Sequence, residues 1–162
     1  MHCNEVGQRS LGNTSIFCDA RNQETVNNLN LKFKKRAYFQ PLAPVLLKED
    51  FQKYFSINKN IIRNLEWMGT LCDAKEELYN KYDSIIHVDG TCRTQIVKDE
   101  NSLTYKILKN LKKSGSDILV NTSFNISKDP VVFDLYDVYV NMKRMNIKFV
   151  LMDDGLYQTK DI

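Results

Sequence analysis

The sequence predicts an α/β domain built on a mixed sheet. Apolar runs of strand length, among them Val45-Leu46-Leu47 and Ile118-Leu119-Val120, alternate with segments of helical period. Some connections between them are too short for a helical crossover, so antiparallel neighbours must accompany parallel ones. With 162 residues, 43% apolar and 27% charged, the chain suits one folded unit from about residue 10 to the end. A chain of this length can bury roughly 70% of its unfolded surface without staples.

Each element has a local reason. Asn22 caps a short helix over Glu24 to Leu31, and a basic cluster follows. Pro41 and Pro44 force extended backbone ahead of Val45-Leu46-Leu47. Lys48 to Phe55 and Ala74 to Tyr82 read as short helices, and Ile85 to Val97 as strand with an Asp89-Gly90 turn inside it. Asn101 to Lys113 carries the clearest helical pattern. Leu103, Ile107, Leu108 and Leu111 share a face, Asn101 or Ser102 caps it, and Gly115 closes it after Lys112 and Lys113. Ile118-Leu119-Val120 is a buried strand, Asp134 caps a helix through Val138, Met142 and Met145, and Ile147 to Met152 is a last strand.

Composition removes several function classes. Twenty-three Lys and Arg against 20 Asp and Glu leave a net charge of +3, too small to make nucleic acid an expected partner. Cys3, Cys18, Cys72 and Cys92 form no C-x-x-C pair, which argues for reduced thiols in a cytoplasmic protein and against most zinc sites. No apolar run approaches the ~20 residues that cross a bilayer, so no membrane association is expected. With only His2 and His87 present, chemistry must lean on Lys, Arg, Ser, Thr and Asn. His87, between Ile86 and Val88, reads as a hydrogen-bonded structural residue.

Three segments could carry that chemistry. From Thr25 to Lys48 there are five cations, Lys32, Lys34, Lys35, Arg36 and Lys48, and no acid. If the segment is extended, Lys32, Lys34 and Arg36 share a side, which suits either an anion site or a charged edge strand. Along Asp89 to Val97, strand alternation would put Thr91, Arg93, Gln95 and Val97 on one face, a donor array for a polyanion or the outer face of a hairpin. The third is Asn121-Thr122-Ser123-Phe124-Asn125, at the carboxyl end of a buried strand where ligands of open α/β sheets collect. It reads equally as a polar turn.

In this order the segments resemble the carboxyl-terminal domain of the O-carbamoyltransferases of nodulation and antibiotic biosynthesis. Glu5 to Ile16 resembles that family's E-F-G-P-R-A-L-G-N-R-S-I block, and Lys34-Lys35-Arg36 with Phe39 to Pro44 resembles K-F-R with F-R-P-F-A-P. His87 to Gln95 is similar to H-V-D-G-T-A-R-x-Q, and Asn121 to Asn125 reproduces N-T-S-F-N. The sequence departs from the pattern at Gln8, Thr14 and Gln40, and carries Lys128 where the family has Gly.

The resemblance implies a YrdC-like twisted mixed sheet flanked by helices, spanning residues 1–162. It implies binding of carbamoyl phosphate and of ATP with magnesium, and formation of carbamoyl adenylate. Transfer to an acceptor hydroxyl would fall to a separate or missing amino-terminal carbamoyltransferase domain or subunit. Carried over by position, Lys34, Arg93 and Arg9 would hold carbamoyl phosphate with Thr91 and Arg36 beside them, and Asn121, Ser123 and Asn125 would contact the nucleotide. The alternative is a degenerate module that binds nucleotide or RNA phosphate without chemistry.

Overall fold

The computed structural model of the protein describes residues 7, 10–37, 39–40 and 42–159. The first half contains β1 (Ser15–Asp19), α1 (Gln23–Asn28), β2 (Ala43–Leu47), α2 (Phe51–Tyr54), β3 (Phe55–Ser56), β4 (Cys72–Ala74) and α3 (Glu76–Tyr82). The second contains β5 (Thr91–Cys92), β6 (Gln95–Val97), α4 (Leu103–Lys113), β7 (Ile118–Ser123), α5 (Leu135–Met145), β8 (Phe149–Met152) and β9 (Gly155–Gln158). The central sheet has the order β1-β7-β2-β6. β7 runs antiparallel to β1 and β2, whereas β2 and β6 are parallel. The mixed sheet expected from the short connections is therefore present.

Strand alternation divides the core. Leu46, Ile96, Ile118 and Val120 point to one face, where Val26 of α1, Phe51 and Tyr54 of α2, and Leu78 and Tyr82 of α3 cover them. Ala43, Val45, Leu47, Val97 and Leu119 point to the other face and meet Leu108 of α4 and Met68. β2 is buried on both faces, which explains its unbroken apolar run. Each fully buried Leu or Val contributes about 1.5–3 kcal/mol of transfer free energy. A third cluster, Phe124, Ile126, Val132, Met142 and Met145, packs α5 against the end of β7.

The caps lie where the sequence puts them. Asn22 accepts from the Thr25 amide, Ser102 from that of Tyr105, and Asp134 from that of Asp137. Four expectations are corrected. The basic segment is not extended, because Leu29–Phe33 continues α1 as a π-helical turn and Lys35 then turns left-handed at φ 51°. Ile85 to Val97 is not one strand: β5 pairs with β4 in a small sheet of order β3-β4-β5, while β6 joins β2. Leu103, in the first turn of α4, is 45% exposed, and Thr104 beside it is the buried residue of that turn. Finally, β8 pairs with a further strand, β9, in a separate hairpin whose Val150 packs on the third cluster.

The segment before β1 enters the sheet through Gly12, at φ 120°, where a Cβ would lie 2.3 Å from Thr104 Oγ1 on α4. Gly12→Ala is expected to cost about 1–3 kcal/mol through overpacking and backbone strain. Thermal unfolding should show the loss, and Thr104→Ala in the same chain should recover only part of it, since the φ strain remains.

Candidate functional site

The basic segment meets the end of β7 through one buried side chain. Lys34, only 1% exposed, donates from Nζ to Ser123 O at 2.7 Å, Asn125 Oδ1 at 2.6 Å, Ser123 Oγ at 3.3 Å and Asn125 O. Ser123 Oγ donates in turn to Asn125 Oδ1 at 2.6 Å, and the Ser127 amide donates to Lys34 O at 3.1 Å. The π-helical turn makes this reach, its Lys34 amide closing on Leu29 O at 2.8 Å. Burial, aided by the charge of Arg36, pushes the Lys34 pKa down to about 7. All the acceptors are neutral, so the ammonium is solvated by protein oxygens, with no carboxylate pairing it.

After Lys35 the chain doubles back. The Arg36 amide donates to Asn30 O at 3.0 Å, and Asn30 Nδ2 donates to Gln40 O at 2.8 Å. This loop forms one wall of a concavity of about 430 Å³ lined by Arg36, Phe39, Gln40, Leu42, Ala43, Leu71, His87 and Arg93. The opposite wall comes from residues flanking β5, so the break between β5 and β6 is what turns Arg93 toward the basic loop. Two arginines line this cleft, and among the described residues no Asp or Glu does. A second concavity, about 410 Å³, is lined by Lys48, Lys98, Glu49 and Glu100 among others, a balanced set of charges.

His87 is set by a tight turn. Its amide donates to Thr91 O at 2.8 Å, and the Gly90 amide, at φ 81°, donates back to His87 O at 2.9 Å. Thr91 Oγ1 lies 3.1 Å from His87 Nδ1 and donates to Asp89 Oδ1 at 2.7 Å. On the far side of the sheet, Asn121 Nδ2 donates to Gln95 Oε1 at 3.0 Å and to Ser10 O at 2.8 Å, and Gln95 Nε2 donates to Leu11 O at 2.9 Å. These amides hold the segment before β1 against the sheet. Asn121 Oδ1 is buried with no donor among the described residues.

Residues 2–159 match the family described as Carbamoyltransferase C-terminus. The chain belongs to that family. It is 36% identical over 135 residues to nodulation protein NolO of Bradyrhizobium diazoefficiens, covering 82% of this chain and 24% of the relative. It is 27% identical over 156 residues to the 3'-hydroxymethylcephem-O-carbamoyltransferase of Amycolatopsis lactamdurans, covering 95% of this chain and 29% of the relative. The chain thus spans about a quarter of the length of the curated relatives it matches. Full-length HypF, solved in a phosphate- and nucleotide-bound form, superposes with a TM-score of 0.65 at 21% identity over 85% of this chain and 21% of HypF. The fold is the YrdC-like mixed sheet flanked by helices that the resemblance implied.

Within this carbamoyltransferase C-terminal domain the expected site residues separate into groups. Arg36 and Arg93 line one cleft. Lys34, Ser123 and Asn125 bond to one another. Thr91 is engaged by His87 and Asp89, and Asn121 by Gln95 and Ser10. Arg9 lies outside the described residues. Sequence reasoning missed His87 and Gln40 as cleft residues. The H-V-D-G-T block was the available signal for His87, read then as structural because its neighbours are apolar. No helix among the described residues is long and apolar enough to cross a membrane.

The donor set of the cleft suits phosphate, and its volume falls in the range of roughly 300–1,000 Å³ found for small-ligand sites. Among the described residues no group of three or more His, Cys, Asp or Glu side chains could hold a metal.

Lys34→Met is expected to lower stability by about 1–3 kcal/mol, because it leaves buried carbonyls without a donor. Lys34 is charged in the unfolded chain up to its ordinary 10.5 but only to about 7 when folded. The folded state thus binds fewer protons above pH 7, and its stability should rise with pH from there. Denaturant titrations between pH 7 and about 8.5, below the range of free thiols, should show this slope in the natural protein and not in Lys34→Met. Lys128 adopts φ 74°, which explains the Gly at its place in the family. Lys128→Gly should raise stability by up to about 1 kcal/mol in the same assay.

Proposed function

We propose that this domain binds carbamoyl phosphate and ATP and forms carbamoyl adenylate, for transfer to an acceptor hydroxyl by an amino-terminal carbamoyltransferase domain or subunit. The observation that carries this reading is the cleft that Arg36 and Arg93 both line, with no Asp or Glu among its described lining residues. Adenylate formation needs little covalent help from protein. It needs two polyanions held in line against their mutual repulsion, which cations and preorganised donors accomplish.

In this reading Arg36 and Arg93 hold the phosphate of carbamoyl phosphate, joined by Arg9 from the family motif. Water releases that phosphate, the carbamate oxygen attacks the α-phosphorus of ATP, and pyrophosphate leaves. Ser123 and Asn125, half-buried at the end of β7, meet the nucleotide phosphates, with Asn121 beneath them. Lys34 acts by fixing Ser123 and Asn125 from its buried position. The O-carbamoyltransferase activity of the cephem relative and the phosphate and nucleotide bound in the HypF crystal form agree with this chemistry.

Arg93→Ala is expected to lower carbamoyl-phosphate-dependent ATP–pyrophosphate exchange by about 10- to 150-fold, the range of one charge-assisted hydrogen bond. Arg36→Ala should act in the same direction. Exchange unaltered in both variants would remove the cleft assignment. Phosphate binding with no exchange in the natural protein would favour a non-catalytic phosphate-binding module.

A further inference from the structure

Arg36 and Arg93 suit an anion, whereas Gln40 and His87 can also accept a hydrogen bond. Carbamoyl phosphate is an anion at one end and a primary amide at the other, whose NH2 offers two hydrogens and needs an acceptor. Arg36 and Arg93 have no lone pair to give. Gln40 and His87 do; Gln40 is exposed and His87 half-buried, and the turn that holds His87 dictates which of its nitrogens carries the lone pair.

Thr91 has one hydroxyl hydrogen, and the carboxylate of Asp89, able only to accept, takes it at 2.7 Å. The contact of 3.1 Å between Thr91 Oγ1 and His87 Nδ1 must then be donated by the imidazole. The neutral ring is the Nδ1–H tautomer, with its lone pair on Nε2. Nε2 makes no hydrogen bond among the described residues, and with the Nδ1 edge taken by Thr91 it is the edge left to the cleft that His87 lines. Burial lowers the His87 pKa, Arg93 adds to the lowering and Asp89 opposes it, so the neutral form prevails near pH 7. Leu42, which is buried, and Leu71 line the same space.

We propose that His87 Nε2 accepts a hydrogen bond from the carbamoyl NH2 and is the residue by which this cleft selects carbamoyl phosphate over acyl phosphates that lack an N–H. The proposal rests on the reading of the cleft as the carbamoyl phosphate site. Thr91 and Asp89 are positioning residues in it: they fix the tautomer and the ring plane and touch no substrate. A site that pairs with an N–H disfavours the methyl analogue, because a half-buried acceptor then loses its partner in the bound complex.

The test is calorimetric titration of the full chain with inorganic phosphate, carbamoyl phosphate and acetyl phosphate. The natural protein should bind carbamoyl phosphate about 10- to 100-fold more tightly than acetyl phosphate. His87→Leu should lose most of that ratio, chiefly through weaker binding of carbamoyl phosphate. His87→Gln, whose amide oxygen can accept, should recover part of it, and Thr91→Val should shrink the ratio by loosening the tautomer. A ratio near one in the natural protein, or a ratio kept in both His87→Leu and His87→Gln, overturns the proposal. Should His87→Leu fail to fold, a ratio unchanged in His87→Gln and Thr91→Val does the same. Inorganic phosphate separates this from the parent reading: if it binds and Arg93→Ala weakens it, the cleft stands whatever His87 does. If phosphate does not bind, the cleft assignment itself fails.

Discussion

The ammonium of Lys34, buried against oxygens of Ser123 and Asn125, joins two distant parts of the chain on which the rest of the site depends. Burying a cation without a carboxylate is costly, and the structure offsets that cost by surrounding the charge with neutral acceptors. Two of them are main-chain carbonyls, which cannot be protonated or move away. The bond therefore orders the backbone at the end of β7 as much as it solvates the lysine. Asn125 extends the order outward through its Nδ2, which donates to Asp129 O at 2.5 Å.

The shape of the basic segment follows. A regular α-helix or a strand would not bring Lys34 Nζ to β7 and at the same time send Arg36 into the cleft. A π-helical turn followed by a left-handed Lys35 does both within a few residues. Asn30 then ties the returning loop by its side chain. Neighbouring cations are thereby given different tasks. Lys34 is consumed by structure, Arg36 lines the cleft, and Lys35 lies exposed.

Several cations elsewhere pair with nearby acids. Lys53 pairs with Asp117, Lys112 with Asp50, and Arg21 with Asp19. Such pairs contribute at most about 1 kcal/mol each where exposed, and the cleft of Arg36 and Arg93 differs from them in having no Asp or Glu among its described lining residues. The amide pair Gln95 and Asn121 plays the corresponding part on the other side of the sheet, where neutral groups secure the segment before β1 without adding charge.

What the sequence determined alone is what short-range chemistry decides. Asn22, Ser102 and Asp134 cap their helices through bonds spanning three residues, the doubly buried β2 reads as an apolar run, and the order of the motifs identified the family. The tertiary structure decided the rest, because the deciding contacts are remote in the chain. Lys34 is bent out of any strand by acceptors 89 and 91 residues away. Thr91 and Arg93 leave the alternation expected of one strand because β4 and β2 claim its two halves. His87 looked structural between Ile86 and Val88, and became a cleft residue only when the loop after Lys35 folded opposite it. Alternation and capping are local physics; the solvation of a buried charge and the closing of a cleft are set by whichever distant residues the fold brings to them.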